Sequence, residues 1–264
     1  MTYHFIPGYP TPQHERSAQM IGEFFSHQPG VAAVLLTCSC ARGRASKDSC
    51  LDIAVLLSPN LPAEQRHSLE ETWNAYYRTE PVFIEQRRVG AFSQVDLDFH
   101  NGIFDPQNFY HGWTSGSDAF ELEMGNLIAY SHPLWEGDAT YRNLRAEWLP
   151  YYNETLRQER LGMVLGYCRN NLAHIPLYVE RALYFQAFKR LYYAFEEFLQ
   201  ALFIARRTYP ISYDKWVKEQ IIEILDLPDL YPRLVRMLET HQLESNEPVE
   251  KAAELERWIA EYIE

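Results

Sequence analysis

Residues 37–53 read Thr37-Cys38-Ser39-Cys40-Ala41-Arg42-Gly43-Arg44-Ala45-Ser46-Lys47-Asp48-Ser49-Cys50-Leu51-Asp52-Ile53. The apolar run Val31–Thr37 leading into this stretch predicts a buried strand, and Leu51–Leu57 at its end predicts a second. Between them lies a turn of small residues that includes Ser39 and Gly43. Small residues at a strand end let backbone N–H groups approach an anion, and the Ser39 hydroxyl adds a donor. Arg42 and Arg44 stand beside them as phosphate-neutralising charges. Strand alternation puts positions 50 and 52 on one face, so Cys50 and Asp52 point the same way. Downstream, Val95–Phe99 predicts a shorter strand on which Asp96 and Asp98, with His100 beyond them, share a face. A phosphate-binding turn with carboxylates from two strands is the layout that holds Mg²⁺ against a triphosphate.

Outward from this centre, Pro12 to His27 carries helical spacing through Ala18, Ile21, Phe24 and Phe25. Pro62 opens a second helix marked by Leu69, Trp73 and Tyr76. Asn101–Gly116 has the composition of a loop broken by Pro106 and Gly112, and Pro133 and Gly137 mark a turn within Tyr130–Asp138. From Tyr141 onward the texture is helical almost to the end. Apolar residues recur at three- and four-residue spacing in Leu177–Arg207, Tyr213–Leu225, Tyr231–Thr240 and Val249–Ile263, with Pro176, Pro210, Pro228 and Pro232 as punctuation. The expected fold class is α+β, with a sheet domain over residues 1–140 and an all-α bundle over residues 141–264.

Composition narrows the function. The chain has 264 residues, 47% hydrophobic and 23% charged, which is globular rather than disordered. No apolar run approaches the roughly 18 residues of a membrane span. With 24 basic against 36 acidic residues the net charge is −12, the wrong balance for a protein that grips duplex phosphates. Neither a membrane nor nucleic acid is therefore an expected partner. Four cysteines, three of them between positions 38 and 50, do not form a secreted disulfide framework. The expected location is cytoplasmic.

The stretch quoted above resembles the signature of the DNA polymerase β-like nucleotidyltransferase superfamily, in its minimal and antibiotic-modifying branch. That signature is Gly-Ser, then Ala-Arg-Gly, then Ser-Asp-hydrophobic-Asp on a strand, with a third carboxylate on a later strand. Ser39 matches the serine, Ala41-Arg42-Gly43 the triplet, and Ser49 and Asp52 the ends of the aspartate motif. Asp96 is the first choice for the third carboxylate and Asp98 the second. The match covers residues 30–100 well; Ala205–Pro210 with Lys215-Trp216 is more loosely similar to a helical domain that follows this fold in bacteria. The resemblance implies a polymerase β-like sheet domain followed by the helical bundle. It also implies transfer of a nucleoside monophosphate from ATP or another NTP to a hydroxyl of a small molecule or protein. Asp52 and Asp96, with Asp98, would hold Mg²⁺, and Ser39, Arg42 and Gly43 would hold the nucleotide. In relatives the second-domain helices close over nucleotide and acceptor, which gives Lys189 a place on the triphosphate and Tyr192 or Tyr193 a base to stack on. The chain departs from the signature at two positions. Cys38 stands where the family has glycine, and Cys50 stands where it has the first metal-binding aspartate. The second departure opens an alternative function, a catalytically degenerate member that binds a nucleotide or a protein.

Three further patterns are weaker. Cys38, Cys40 and Cys50, with Cys168, suggest a zinc set, but a single residue between Cys38 and Cys40 is too short for the usual pair, and small buried thiols are the expected outcome. A redox pair between Cys38 or Cys40 and Cys50 is the other use open to them. Arg169 to His174 resembles the Arg-x₄-His element of HEPN ribonuclease domains, and the aromatic run Tyr184–Phe198 reads chiefly as core packing.

Overall fold

The computed structural model describes residues 5–104 and 116–264. The expected loop at Asn101–Gly116 therefore lies mostly outside the described residues. The fold is α+β, and the described chain divides into two compact units. One comprises residues 5–104 with 124–149, the other residues 116–123 with 150–264.

The first unit begins with α1 (Pro12–Ser26), followed by β1 (Val31–Leu36), the short α2 (Cys38–Ala41) and β2 (Leu51–Leu57). Next come α3 (Ala63–Thr79), α4 (Pro81–Gln86) and β3 (Val95–Asn101). Past α5 (Phe120–Met124), whose residues 120–123 belong to the second unit, a π-helical turn at Gly125–Ala129, β4 (His132–Glu136) and α6 (Thr140–Trp148) complete it. The sheet order is β3-β2-β1-β4, with β1 antiparallel to both neighbours and β2 parallel to β3. All six residues of β1 are buried, as its uninterrupted apolar sequence requires for a central strand. Thr11 caps α1 and Pro12 supplies the preset first residue. The buried stripe Ala18, Ile21 and Phe25 on α1 then packs with Leu69 and Trp73 of α3 and Phe83 of α4. These meet Leu51, Ile53, Val55 and Leu57 of β2 and Val95 of β3. Each such large side chain contributes about 1.5–3 kcal/mol by leaving water. Because the odd positions of β2 and β3 face these helices, the even positions, including Asp52 and Asp96, face the other way.

The stretch expected as a turn at Tyr130–Asp138 contains β4. Pro133 cannot donate to a ladder, but on an edge strand its missing N–H costs nothing when it faces outward; among the described residues β4 pairs on one side only, with Leu35 opposite Pro133.

The second unit is helical among its described residues. Its centre is a hairpin of α7 (Glu154–Glu180) and α8 (Tyr184–Ala205), against both of which α11 (Glu247–Tyr262) packs. The smaller α9 (Val217–Glu219), continued by a π-helical turn at Gln220–Ile224, and α10 (Leu230–Leu238) lie between them in sequence. Cys168, Leu172, Leu191, Phe195, Phe198 and Trp258 belong to its apolar core. Pro176 was expected as punctuation, yet it sits inside α7. The chain instead leaves that helix at Arg181, with Ala182 in the left-handed region at φ +54°. Residues 118–121 join this unit through Arg160, which is 1% exposed and bonds to Asp118 at 2.7 Å and Glu121 at 2.6 Å. No helix of the described residues is long and apolar enough to cross a membrane.

Candidate functional site

The site forms where β2 and β3 begin. Their parallel register makes Asp52 and Asp96 Cα partners. Cys50, one residue before β2, lies on the same face, and the ligand atoms of Cys50, Asp52 and Asp96 all fall within 4.8 Å of one another. The Cys50 thiol donates to the Asp52 carboxylate, with Sγ 3.3 Å from each oxygen. Burial, together with the Asp52 carboxylate beside it and Asp96 beyond, pushes the Cys50 thiol up to about 12. Asp98 is outside this group. It pairs with Ala54, and two residues along a strand is a displacement of about 6.6 Å.

Neighbouring contacts fix the start of both strands. The Leu51 N–H donates to the Gln94 carbonyl at 2.9 Å, aligning the register that pairs the two aspartates. His14, fully buried on α1, donates from Nε2 to the Ser49 carbonyl at 3.0 Å, and its Nδ1 accepts from the Thr11 hydroxyl at 2.8 Å. Asp48 turns away from the cluster to accept from the Ala91 N–H at 3.0 Å, tying the turn before β2 to the loop before β3. That loop is clipped in turn by the buried pair Gln86 and Ser93, where Gln86 Nε2 donates to the Ser93 carbonyl and Ser93 Oγ to the Gln86 carbonyl.

On the other side, the Thr37 N–H donates to the Asp52 carbonyl at 3.0 Å, joining the β1–α2 turn to the same residue. Cys38, where the resemblance calls for glycine, has φ +53°. That is the left-handed region in which glycine is favoured and other residues are strained. Ser39 is 8% exposed on α2. Arg42 is buried and donates from Nη1 to the Cys38 carbonyl at 2.9 Å. Gly43 has φ +66°, and a Cβ there would stand 2.8 Å from the Ile6 carbonyl oxygen, so the turn requires glycine.

Other sequence-derived candidates belong to the second unit. Lys189 and Tyr193 lie on α8 in the helical unit, with Lys189 Nζ 5.4 Å above the Tyr193 ring. Tyr192 sits beside them, half-buried. Arg169 is held by Glu256 at 2.9 Å and Glu264 at 2.7 Å, while the His174 ring bonds its own helix at the Asn170 carbonyl; the two do not converge. No disulfide joins the four cysteines, and Cys40 and Cys168 are buried. Cys168 donates to the Ala194 carbonyl within the helical core, and it is not part of the group formed by Cys50, Asp52 and Asp96. His14 was missed by sequence reasoning. Its only local signal is a histidine three residues after a capping threonine, on the helix's apolar face.

The donor set bears on the metal that the resemblance implies. Mg²⁺ takes oxygen ligands, and a carboxylate shared between ions is what a two-metal site needs. The observed set is two carboxylates and one thiol, with sulfur where the resemblance calls for the first aspartate. A pair of Mg²⁺ ions does not fit. No protein-family model and no curated protein sequence matches the chain.

Proposed function

We propose that the chain has a polymerase β-like nucleotidyltransferase fold that binds a nucleoside triphosphate at the β1–β2 turn without two-Mg²⁺ transfer. The observation that carries this function is the replacement of the first metal-binding aspartate by Cys50, whose thiol hydrogen-bonds the surviving Asp52. Two features support the fold assignment. The signature serine, Ser39, follows Cys38, which is in the left-handed region that glycine favours. A left-handed residue followed by a helical turn is a backbone arrangement that gathers N–H groups toward an anion. Asp52 and Asp96 lie side by side on neighbouring strands, as the first and later carboxylate motifs require. Ser39 and this turn would meet the phosphates, with Gly43 keeping the backbone low.

Calorimetric titration with ATP and then GTP, each with and without Mg²⁺, tests this function. One nucleotide should bind, and Ser39→Ala should weaken it about tenfold, the loss of one hydrogen bond to a charged group. No binding of either nucleotide under any condition would refute it. A second function, the active transferase acting on a small-molecule or protein hydroxyl, is favoured by the intact carboxylate pair. It would be supported by pyrophosphate release from the wild-type chain that disappears in Asp52→Asn.

A further inference from the structure

The same three donors that disagree with a magnesium pair suit a different ion. We infer that Cys50, Asp52 and Asp96 form a site for one thiophilic divalent cation of the zinc type, with a coordination position left open.

The chemistry of the set is the first argument. Zinc accepts thiolate sulfur and carboxylate oxygen together, whereas magnesium and calcium select oxygen alone. Geometry is the second. Around a tetrahedral ion with a metal–sulfur bond of about 2.3 Å and metal–oxygen bonds of about 2.1 Å, sulfur and oxygen stand about 3.6 Å apart. Cys50 Sγ lies 3.3 Å from each Asp52 oxygen, and the Asp96 oxygen completes a triangle with no side longer than 4.8 Å. An ion therefore enters with ligand separations changing by a few tenths of an ångström to about 1.4 Å.

The frame is the third argument. Asp52 and Asp96 are fixed by strand pairing, and Cys50 is held between the Ser49 carbonyl clamped by His14 and the Leu51 N–H bonded to Gln94. The ligands are thus positioned before the ion arrives. On binding, the ion takes the place of the thiol proton, which passes to solvent as the sulfur–metal bond forms. Three protein ligands and one open position is the arrangement of zinc sites that exchange an outside ligand; here that ligand would be water or a phosphate oxygen.

The site concerns the chain without nucleotide, so its test is separate from that of the proposed function. The full chain is titrated with Co²⁺ in the absence of nucleotide and followed by absorption. The expected result is a sulfur-to-cobalt charge-transfer band saturating at one equivalent, abolished by equimolar Zn²⁺ and unaffected by a large excess of Mg²⁺. Cys50→Ser should abolish the band while Cys38→Ser and Cys168→Ser retain it. Asp96→Asn, at an exposed position, should weaken Co²⁺ at least tenfold with the band still present at saturation, and circular dichroism confirms that each variant is folded. Absence of the band in the wild-type chain, or its persistence at full strength in folded Cys50→Ser, overturns the site. If Cys50→Ser does not fold, an unchanged Co²⁺ affinity in Asp96→Asn overturns it instead.

Discussion

Asp52 and Asp96 are direct Cα partners across the parallel β2–β3 ladder, so the fold sets two carboxylates side by side on one face. Like charges at paired positions oppose sheet formation. Asp96→Asn should therefore stabilise the metal-free chain by about 0.2–1 kcal/mol. Urea denaturation with and without saturating Zn²⁺ checks this. The gain should reverse once the ion is bound, because the variant then forfeits a ligand.

Cys50 is the position at which metal preference is set. Cys50→Asp places a third oxygen ligand where the sulfur stands, 3.3 Å from Asp52. Magnesium affinity should rise at least tenfold, about 1.4 kcal/mol or more, and Co²⁺ binding should lose its charge-transfer band. Calorimetry with Mg²⁺ measures the first effect. An unchanged magnesium affinity would mean that the carboxylates, and not the sulfur, limit that ion.

The β1–β2 turn holds two residues in the left-handed region, and they should respond in opposite directions. Gly43→Ala adds both a strained φ and a Cβ placed against the Ile6 carbonyl, so it should destabilise by about 1–2 kcal/mol or more. Cys38→Gly removes the strain at φ +53° and should stabilise by up to about 1 kcal/mol. Thermal unfolding of the two variants beside the parent gives both signs.

Much of this site was legible because strand alternation is local. The period of two put Cys50 and Asp52 on one face, and the apolar positions 51, 53, 55 and 57 are buried on the other. Strand alternation alone did not say which downstream acid joins them, since Asp96 and Asp98 share a face and only the register with β2 separates them; the resemblance put Asp96 first. That register depends on Leu51 bonding Gln94 and on Asp48 bonding Ala91, contacts made across 43 residues of chain in each case. β4 was hidden by Pro133, whose usual meaning as a breaker lapses on an edge strand. Pro176 misled for a related reason. It sits in the last two turns of a 27-residue helix, where long-range packing outweighs the roughly 3 kcal/mol that proline costs a helix interior.

In the helical unit, Arg160 is the counter-charge for two buried acids. Glu121 is fully buried and also accepts from Tyr152 at 2.9 Å and Gln200 at 2.7 Å. Arg160→Met would leave that carboxylate uncompensated, a loss of about 3–5 kcal/mol. Adding Glu121→Gln to Arg160→Met should recover part of it. Equal losses in the single and double variants would show that the packing of Arg160 over the Phe120 ring, 4.1 Å away, matters more than its charge.

Glu197 on α8 gives the protein a predictable response to pH. It is 1% exposed, and Asn171 Nδ2 donates to its Oε2 at 2.7 Å while Arg190 in turn bonds Asn171. Burial, with the Glu196 charge beside it, pushes its carboxyl up to about 8, against the opposing pull of Asn171 and Arg190. Unfolding returns it to the ordinary range near 4.3. Between those two values the folded chain holds a proton that the unfolded chain releases. Stability from this group is therefore complete below the unfolded value and is lost as pH rises through about 8. Glu197→Gln keeps an acceptor for Asn171 and removes the titration. Its stability should match the parent's at pH 4–5 and exceed it by on the order of a few kcal/mol at pH 8–9. Denaturant melts of both chains across that range decide the matter, and parallel pH profiles would mean that Glu197 is already ionised in the fold.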